Sequence, residues 1–237
     1  MQTQTSAPFN YAMLAVKITA VIVVEILVVA FLLFYGAGTI RWEGGWIFLL
    51  LVTVSVIPAT IALAIHDPAL LEARTNLAPK GQPLADRLFV PIHTAMMLLW
   101  TLAAGYDSVR HDWSHVPMSL RVLAALFIPV ATWMGYQTMR QNPFLTTCVH
   151  VQSDRGHQVI DTGAYAIVRH PFYAVTIAYQ LSASLLLGSW LSVTLCLVIA
   201  GMIALRIQFE EQHLEQGLAG YAAYKRATPW RLVPGVW

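Results

Sequence analysis

Two polar stretches interrupt an otherwise oily chain, and their residue types suit the recognition of a charged small molecule. The first is DTGAYAIVRHPFY, residues 161–173. Pro171 has no N–H and a fixed φ that suits the first turn of a helix, so a helix is expected to start there with His170 near its cap. The free N–H groups and positive dipole end of such a start attract an anionic group such as a carboxylate. The second stretch is RIQFEEQH, residues 206–213, where helical spacing puts Arg206, Glu210 and His213 on one face. An exposed Arg–Glu pair contributes only ~0.2–0.5 kcal/mol, so stability alone does not explain it. Within hydrocarbon the arginine costs ~2.5–3.5 kcal/mol and calls for a functional partner. The plainer reading makes Arg169 and His170 interfacial anchors, with Tyr165 and Tyr173 in an aromatic belt.

The elements that position these stretches are membrane helices. Of the 237 residues 57% are hydrophobic and 11% charged, whereas a soluble domain carries about a quarter charged residues. Apolar runs cover residues 13–35, 46–65, 88–106, 120–136, 172–187 and 190–205, with Trp42, Trp46, Trp113 and Trp190 at run ends where headgroups favour them. The pattern predicts an all-α polytopic membrane protein with five to six membrane helices, including a C-terminal helical hairpin that turns at Gly188-Ser189. The fifth run has 16 residues, about 24 Å of helix against a hydrocarbon core of about 30 Å. Its polar end therefore sinks below the headgroups, forming a recess open to a water-soluble and a lipid-soluble reactant. No composition shift marks a second domain, so one domain is expected over 1–237: a four-span bundle over 1–137 and a ligand-binding part over 138–237.

Arg74, Lys80, Arg87, Arg140, Arg155, Arg169, Arg206, Lys225, Arg226 and Arg231 fall on one side of this arrangement, against Arg41, Arg110 and Arg121 on the other. The positive-inside rule then puts both termini and both polar stretches in the cytoplasm, and the tail YKRATPWRLVPGVW, residues 224–237, has a bacterial look that makes an inner membrane the expectation. Residues 1–10 are polar without a basic cluster, and the run after them is longer than a signal-peptide core, so it reads as a retained anchor.

Other features are discounted. A formal charge of +2 is too small for nucleic-acid binding, and no obligate protein partner is implied. Cys148 and Cys196 make neither a disulfide framework nor a thiolate metal site. Gly36, Gly38, Gly44 and Gly45 complete no nucleotide-binding pattern and read as turns. His111 and His115 are four apart without a third ligand, and read as solvated. Glu25 lies mid-run and is expected to make an interhelical contact or, less readily, to line a substrate path.

The motifs HQVIDTGAY (157–165), RHPFY (169–173), Arg206 with Glu210-Glu211, and YAAYK (221–225), in this order, resemble the isoprenylcysteine carboxyl methyltransferase family and its bacterial membrane relatives. The likeness covers about residues 152–237; upstream, DPALLEAR (67–74) is similar to a helix-starting segment of bacterial members. The resemblance implies S-adenosylmethionine as methyl donor, held by Gln152, His157, Gln158, Val159, Ile160, Tyr165, His170, Pro171, Phe172, Tyr173 and Glu210. It implies that Arg206 approaches the acceptor, with Arg206 and Glu210 as the catalytic pair and no metal. The acceptor would be lipophilic and drawn from the bilayer, such as the carboxylate of a prenylated cysteine. A sulfonium donor needs a carboxylate near its positive charge, donors for its own carboxylate, and flat surfaces for adenine; Glu210, the His170 helix start, and Tyr165 with Tyr173 have those properties. Methyl transfer by in-line displacement mainly requires alignment. Two other readings remain open. One is an NADPH-dependent sterol-reductase-like enzyme, which Pro171 directly after Arg169-His170 disfavours; the other is a non-catalytic lipid-binding protein.

Overall fold

The structure is a computed structural model that describes residues 10–76, 79 and 81–237. Lys80 and residues 1–9, used above for orientation and for the anchor, lie outside the described residues. Within them the chain is helical without a strand: α1 (Tyr11–Ala37), α2 (Glu43–His66), α3 (Pro68–Arg74), α4 (Leu84–Gly105), α5 (Met118–Gln141), α6 (Pro171–Leu186), α7 (Trp190–Gly217) and α8 (Tyr221–Ala227). A π-helical turn, Tyr106–Arg110, extends α4. Five helices, α1, α2, α4 with its extension, α5 and α7, are long and apolar enough to cross a bilayer. Each of the six apolar runs is a helix; α6, with 16 residues, is the short arm of the expected hairpin.

Packing follows the order α1, α4, α7, α6, α5, α2 around the bundle. Leu33, Trp100, Ile128, Leu187, Ile199 and Ile203 are buried in its centre. α1 and α4 approach closely because Gly36 and Gly105 meet the partner helix's backbone, where any Cβ would clash with Leu102 O or Leu33 O. Gly36 is thus a helix-packing residue and not part of a turn; Gly44 and Gly45 likewise lie in the first turn of α2, against the Trp42 ring. Gly38 keeps the expected role, closing α1 at φ +71.

At the end opposite the two polar stretches, the hairpin turn is pinned. Gly188 adopts φ +80, and Ser189 caps α7 by accepting from Ser192 N at 2.9 Å. Asp107, fully buried in the π-helical turn, accepts from Ser189 Oγ at 2.5 Å, Ser114 Oγ at 2.6 Å and Leu191 N at 3.1 Å. One carboxylate oxygen, Oδ2, thereby ties the end of α4 to the start of α7 through three donors. Deeper in, Trp100 Nε1 donates to Ser184 Oγ at 2.9 Å. His111 and His115 are exposed as expected, and His111 also stacks on Trp113, ring centres 4.7 Å apart.

The polar stretches gather at the other end with residues 67–76, 81–83, 142–170 and 218–237. α3 is built as its sequence indicates: Asp67 accepts from Leu70 N at 2.8 Å and Pro68 opens the first turn. Counting from Trp190 at 1.5 Å per residue, Arg206 lies about 24 Å and Glu210 about 30 Å along α7. Glu210 therefore stands near the edge of a hydrocarbon layer and Arg206 inside it.

Candidate functional site

Pro171 starts α6 as expected, and no helical hydrogen bond precedes Ala174 N to His170 O. The amides of Phe172 and Tyr173 are thus left free by the helix at the floor of a polar cleft. One turn in, the Tyr173 phenol donates to Glu210 Oε2 at 2.8 Å. The His170 ring lies nearly parallel to that of Tyr173, centres 5.7 Å apart, with Nδ1 3.9 Å from Glu210 Oε1. The two polar stretches therefore fold against each other, with Tyr173 and Glu210 bordering one hollow.

His157, Gln158, Val159, Ile160, Tyr165, His170, Pro171, Phe172, Tyr173 and Glu210 all border this cleft. Gln152 does not. Its amide is spent inside the loop, donating to Phe144 O at 2.8 Å and accepting from Arg155 Nη1 at 2.6 Å, so it shapes the loop that carries His157. His157 stacks on Phe144, ring centres 4.5 Å apart, and its Nδ1 accepts from Gln152 N at 3.3 Å. Burial first, then the nearby His150 and the Arg155 charge, lower its pKa to about 4, so the ring is neutral. Tyr165 is buried with its phenol 3.4 Å from Thr138 O, and burial raises its pKa. Its carbonyl accepts from Tyr224 Oη at 2.7 Å, which fixes α8 over the cleft.

Under the cleft lies a charged knot that the sequence reading did not assign. Glu211, buried, receives Arg169 Nε at 2.6 Å, Arg231 Nε at 3.0 Å and the His170 Nε2 at 3.2 Å. Arg169 Nη1 also donates to Thr228 O at 2.6 Å, and the backbone amides of Arg169 and His170 donate to Trp230 O and Arg231 O, each at 2.9 Å. The tail after α8 thereby holds the residues that lead into α6.

Arg206 is the main departure from expectation. It does not pair with Glu210: its Nη2 lies 2.8 Å from Asp86 Oδ1 in the first turn of α4, and donates to Thr147 O at 2.6 Å. Its guanidinium covers the Phe89 ring, 4.7 Å from the centre. Asp86 Oδ2 accepts from Gln82 Nε2 at 2.8 Å and Val149 N at 2.9 Å. Arg74 of α3 adds a further tie, donating from Nη1 to Leu145 O at 2.8 Å. The loop 142–149 is thus held by Arg74, Asp86 and Arg206 together. The pairing of Asp86 with Arg206 was not readable from sequence because it depends on how α4 lies along α7. His213 borders none of the spaces described here, and Glu25 is exposed on α1, where it interacts electrostatically with Arg74 of α3.

Three spaces meet at Glu210. The polar cleft, about 70 Å³, adjoins a second polar space of about 80 Å³ that Cys148, His150, Tyr173 and Arg206 border. On the far side of Arg206 and Glu210, an apolar groove of about 230 Å³ runs between α4 and α7. Its walls include Leu88, Ile92, Leu205 and Phe209, all exposed on the bundle surface that faces lipid. Arg206 and Glu210 therefore form the wall between a wet cleft and an oily groove.

Residues 120–219 match the phospholipid methyltransferase family. No curated protein matches the chain. The matched segment runs from α5 past the end of α7 and contains the cleft residues, Arg206 and Glu210. Asp86, Arg74 and the tail that reaches Glu211 lie outside it.

Proposed function

We propose that this chain is an integral membrane methyltransferase that takes S-adenosylmethionine from the cytoplasm and a lipophilic acceptor from the bilayer. The observation that carries the reading is the position of Glu210, at once on the polar cleft and on the apolar groove. The family match of the same segment supports methyl transfer as the chemistry.

The donor set of the cleft fits the sulfonium nucleoside. The Glu210 carboxylate offers a counter-charge, and the free amides at the start of α6 offer donors for the methionine carboxylate. The Tyr173, His170 and Tyr165 rings supply flat surfaces. When bound, S-adenosylmethionine supplies an electrophilic methyl group on a positively charged sulfur. The protein's part is alignment and exclusion of water, as displacement chemistry requires. Both polar spaces are smaller than the roughly 300–1,000 Å³ typical of small-molecule sites. Binding the whole donor therefore involves outward movement of residues 157–160, which span the cleft.

The resemblance implies a carboxylate acceptor held by Arg206. The Asp86 partner of that arginine argues against a free anion site, because the guanidinium charge is already matched by a carboxylate. The supported reading is thus a lipophilic acceptor, reached through the α4–α7 groove, whose head meets Arg206 and Asp86 together.

The test is calorimetry of the purified protein in lipid nanodiscs with S-adenosylmethionine, S-adenosylhomocysteine and NADPH. Saturable binding of both sulfur nucleosides is expected. NADPH binding without either of them would hand the site to reductase chemistry. Labelled-methyl transfer into a total lipid extract, followed by mass identification, would then name the acceptor.

A further inference from the structure

Two buried polar atoms on the apolar groove have no hydrogen-bond partner: Asp86 Oδ1 and Arg206 Nε. Both belong to side chains that are almost wholly enclosed, 4% exposed for Asp86 and 11% for Arg206. Asp86 Oδ1 is close enough to Arg206 Nη2 for ion pairing, at 2.8 Å, yet the pair is not aligned as a hydrogen bond. The other carboxylate oxygen is saturated by Gln82 and Val149. One acceptor and one donor are thus left without a hydrogen-bond partner, both covered behind the face that Phe89, Ile92, Met202, Leu205 and Phe209 present to the groove. A buried polar atom without a partner is costly, and a ligand that pairs with both atoms removes that cost.

We infer that the groove binds an amphiphile with a hydroxyl head, an aliphatic alcohol or a phenol, whose O–H donates to Asp86 Oδ1 while its oxygen accepts from Arg206 Nε. Resting on the transferase reading, this names its acceptor class and makes Asp86 a specificity-determining residue. A hydroxyl carries a donor and an acceptor on one atom, which matches the two open atoms. A carboxylate satisfies Arg206 but faces the Asp86 charge with no proton to offer it. An ammonium satisfies Asp86 but meets Arg206 with no lone pair. The Arg206–Asp86 pair is neutral in sum, and an uncharged head leaves it so. The apolar walls and their exposure toward lipid accommodate the tail.

The experiment measures binding without turnover, using protein in nanodiscs and subtracting empty nanodiscs. The probes are decanol, 1-methoxydecane and decanoate, which share a tail and differ in the head. Decanol is expected to bind about tenfold more tightly than either of the others, since each leaves one of the two atoms unpaired. Asp86→Asn should remove that discrimination: its amide oxygen is needed for Gln82 and Val149, which turns an N–H, a donor, toward the head. Decanoate should then gain on decanol. Equal binding of the three probes by the unaltered protein, or tighter binding of decanoate, overturns the inference. So does an Asp86→Asn protein that keeps the preference for decanol. The comparison of ether with alcohol needs no variant, so it decides the matter even if Asp86→Asn fails to fold. Failure here with S-adenosylmethionine still binding leaves the transferase reading intact, whereas loss of donor binding with the decanol preference retained sinks that reading alone.

Discussion

The phenol of Tyr173 donates to Glu210 Oε2 over 2.8 Å, joining the first turn of the short hairpin arm to the far end of the long one, 37 residues away. The bond fixes the carboxylate on the border between cleft and groove. Glu210→Gln should weaken S-adenosylmethionine binding at least about tenfold, as expected when a hydrogen-bonded charge loses its partner. Tyr173→Phe should weaken it less, because the carboxylate remains while only its orientation is freed. Titration calorimetry checks both, and the reverse order would contradict the role given to Glu210.

Arg206 and Asp86 form a largely buried ion pair, and breaking such a pair by removing one partner costs about 3–5 kcal/mol. Arg206→Ala and Asp86→Ala should each lower the unfolding midpoint, while the two alanine substitutions together should cost less than the sum. A thermal-unfolding double-mutant cycle measures this coupling. Additive effects would show that the pair has no energetic coupling. The donor affinity of Arg206→Lys should stay close to that of the unaltered protein, since Arg206 borders the adjoining polar space and the groove but not the cleft itself.

Glu211 borders none of the three spaces, yet it holds Arg169, His170 and Arg231 at once. Glu211→Ala should therefore lower stability by about 3–5 kcal/mol and also reduce donor affinity, because it frees the residue that caps α6. Glu211→Gln should recover part of the stability. Donor affinity unchanged in a folded Glu211→Ala protein would separate the knot from the site.

Deleting residues 228–237 removes Thr228 O, Trp230 O and Arg231 O, three acceptors for Arg169 and His170. The truncated protein should still insert in membranes, since α1 to α7 are untouched, but should lose donor binding. Full-strength binding after the deletion would show that the tail is dispensable.

His157 supplies a pH test. Its folded pKa is lowered to about 4, chiefly by burial, against an ordinary value of 6.5. Between those values the opened loop binds a proton that the closed loop does not, so closure is favoured above about pH 6.5 and is lost progressively as pH falls toward about 4. Because donor binding moves residues 157–160 outward, donor affinity should rise as pH falls through that window, and His157→Phe, which keeps a ring against Phe144, should flatten the response. An identical pH profile in the variant would place the titration elsewhere.

Much of this architecture is written locally. Six apolar runs, a proline at a helix start and a glycine-serine turn specify the hairpin by length and φ preference alone. Tyr173 and Glu210 were legible as partners because each is a polar residue placed at the same end of an oily helix. What remained hidden is relational. Glu210 and Glu211 are adjacent, but about 100° of helix rotation sends one to the cleft and the other to the knot. Asp86 reads as an ordinary first-turn acid until α4 is laid along α7, and Gln152 resembles a ligand-binding amide until its loop closes on it. Gly36 looks like a turn residue because a close helix crossing and a bend demand the same missing side chain.

Asp107 gives the α4–α7 pair a mechanical character. Its serine and backbone partners rivet those two helices at one extremity, while the groove parts them at the other. Such a pair spreads like the jaws of a peg, widest at the mouth and not at all at the spring. A guest must therefore arrive head-first at the open jaw, and its tail hangs back among the surrounding acyl chains without threading the bundle.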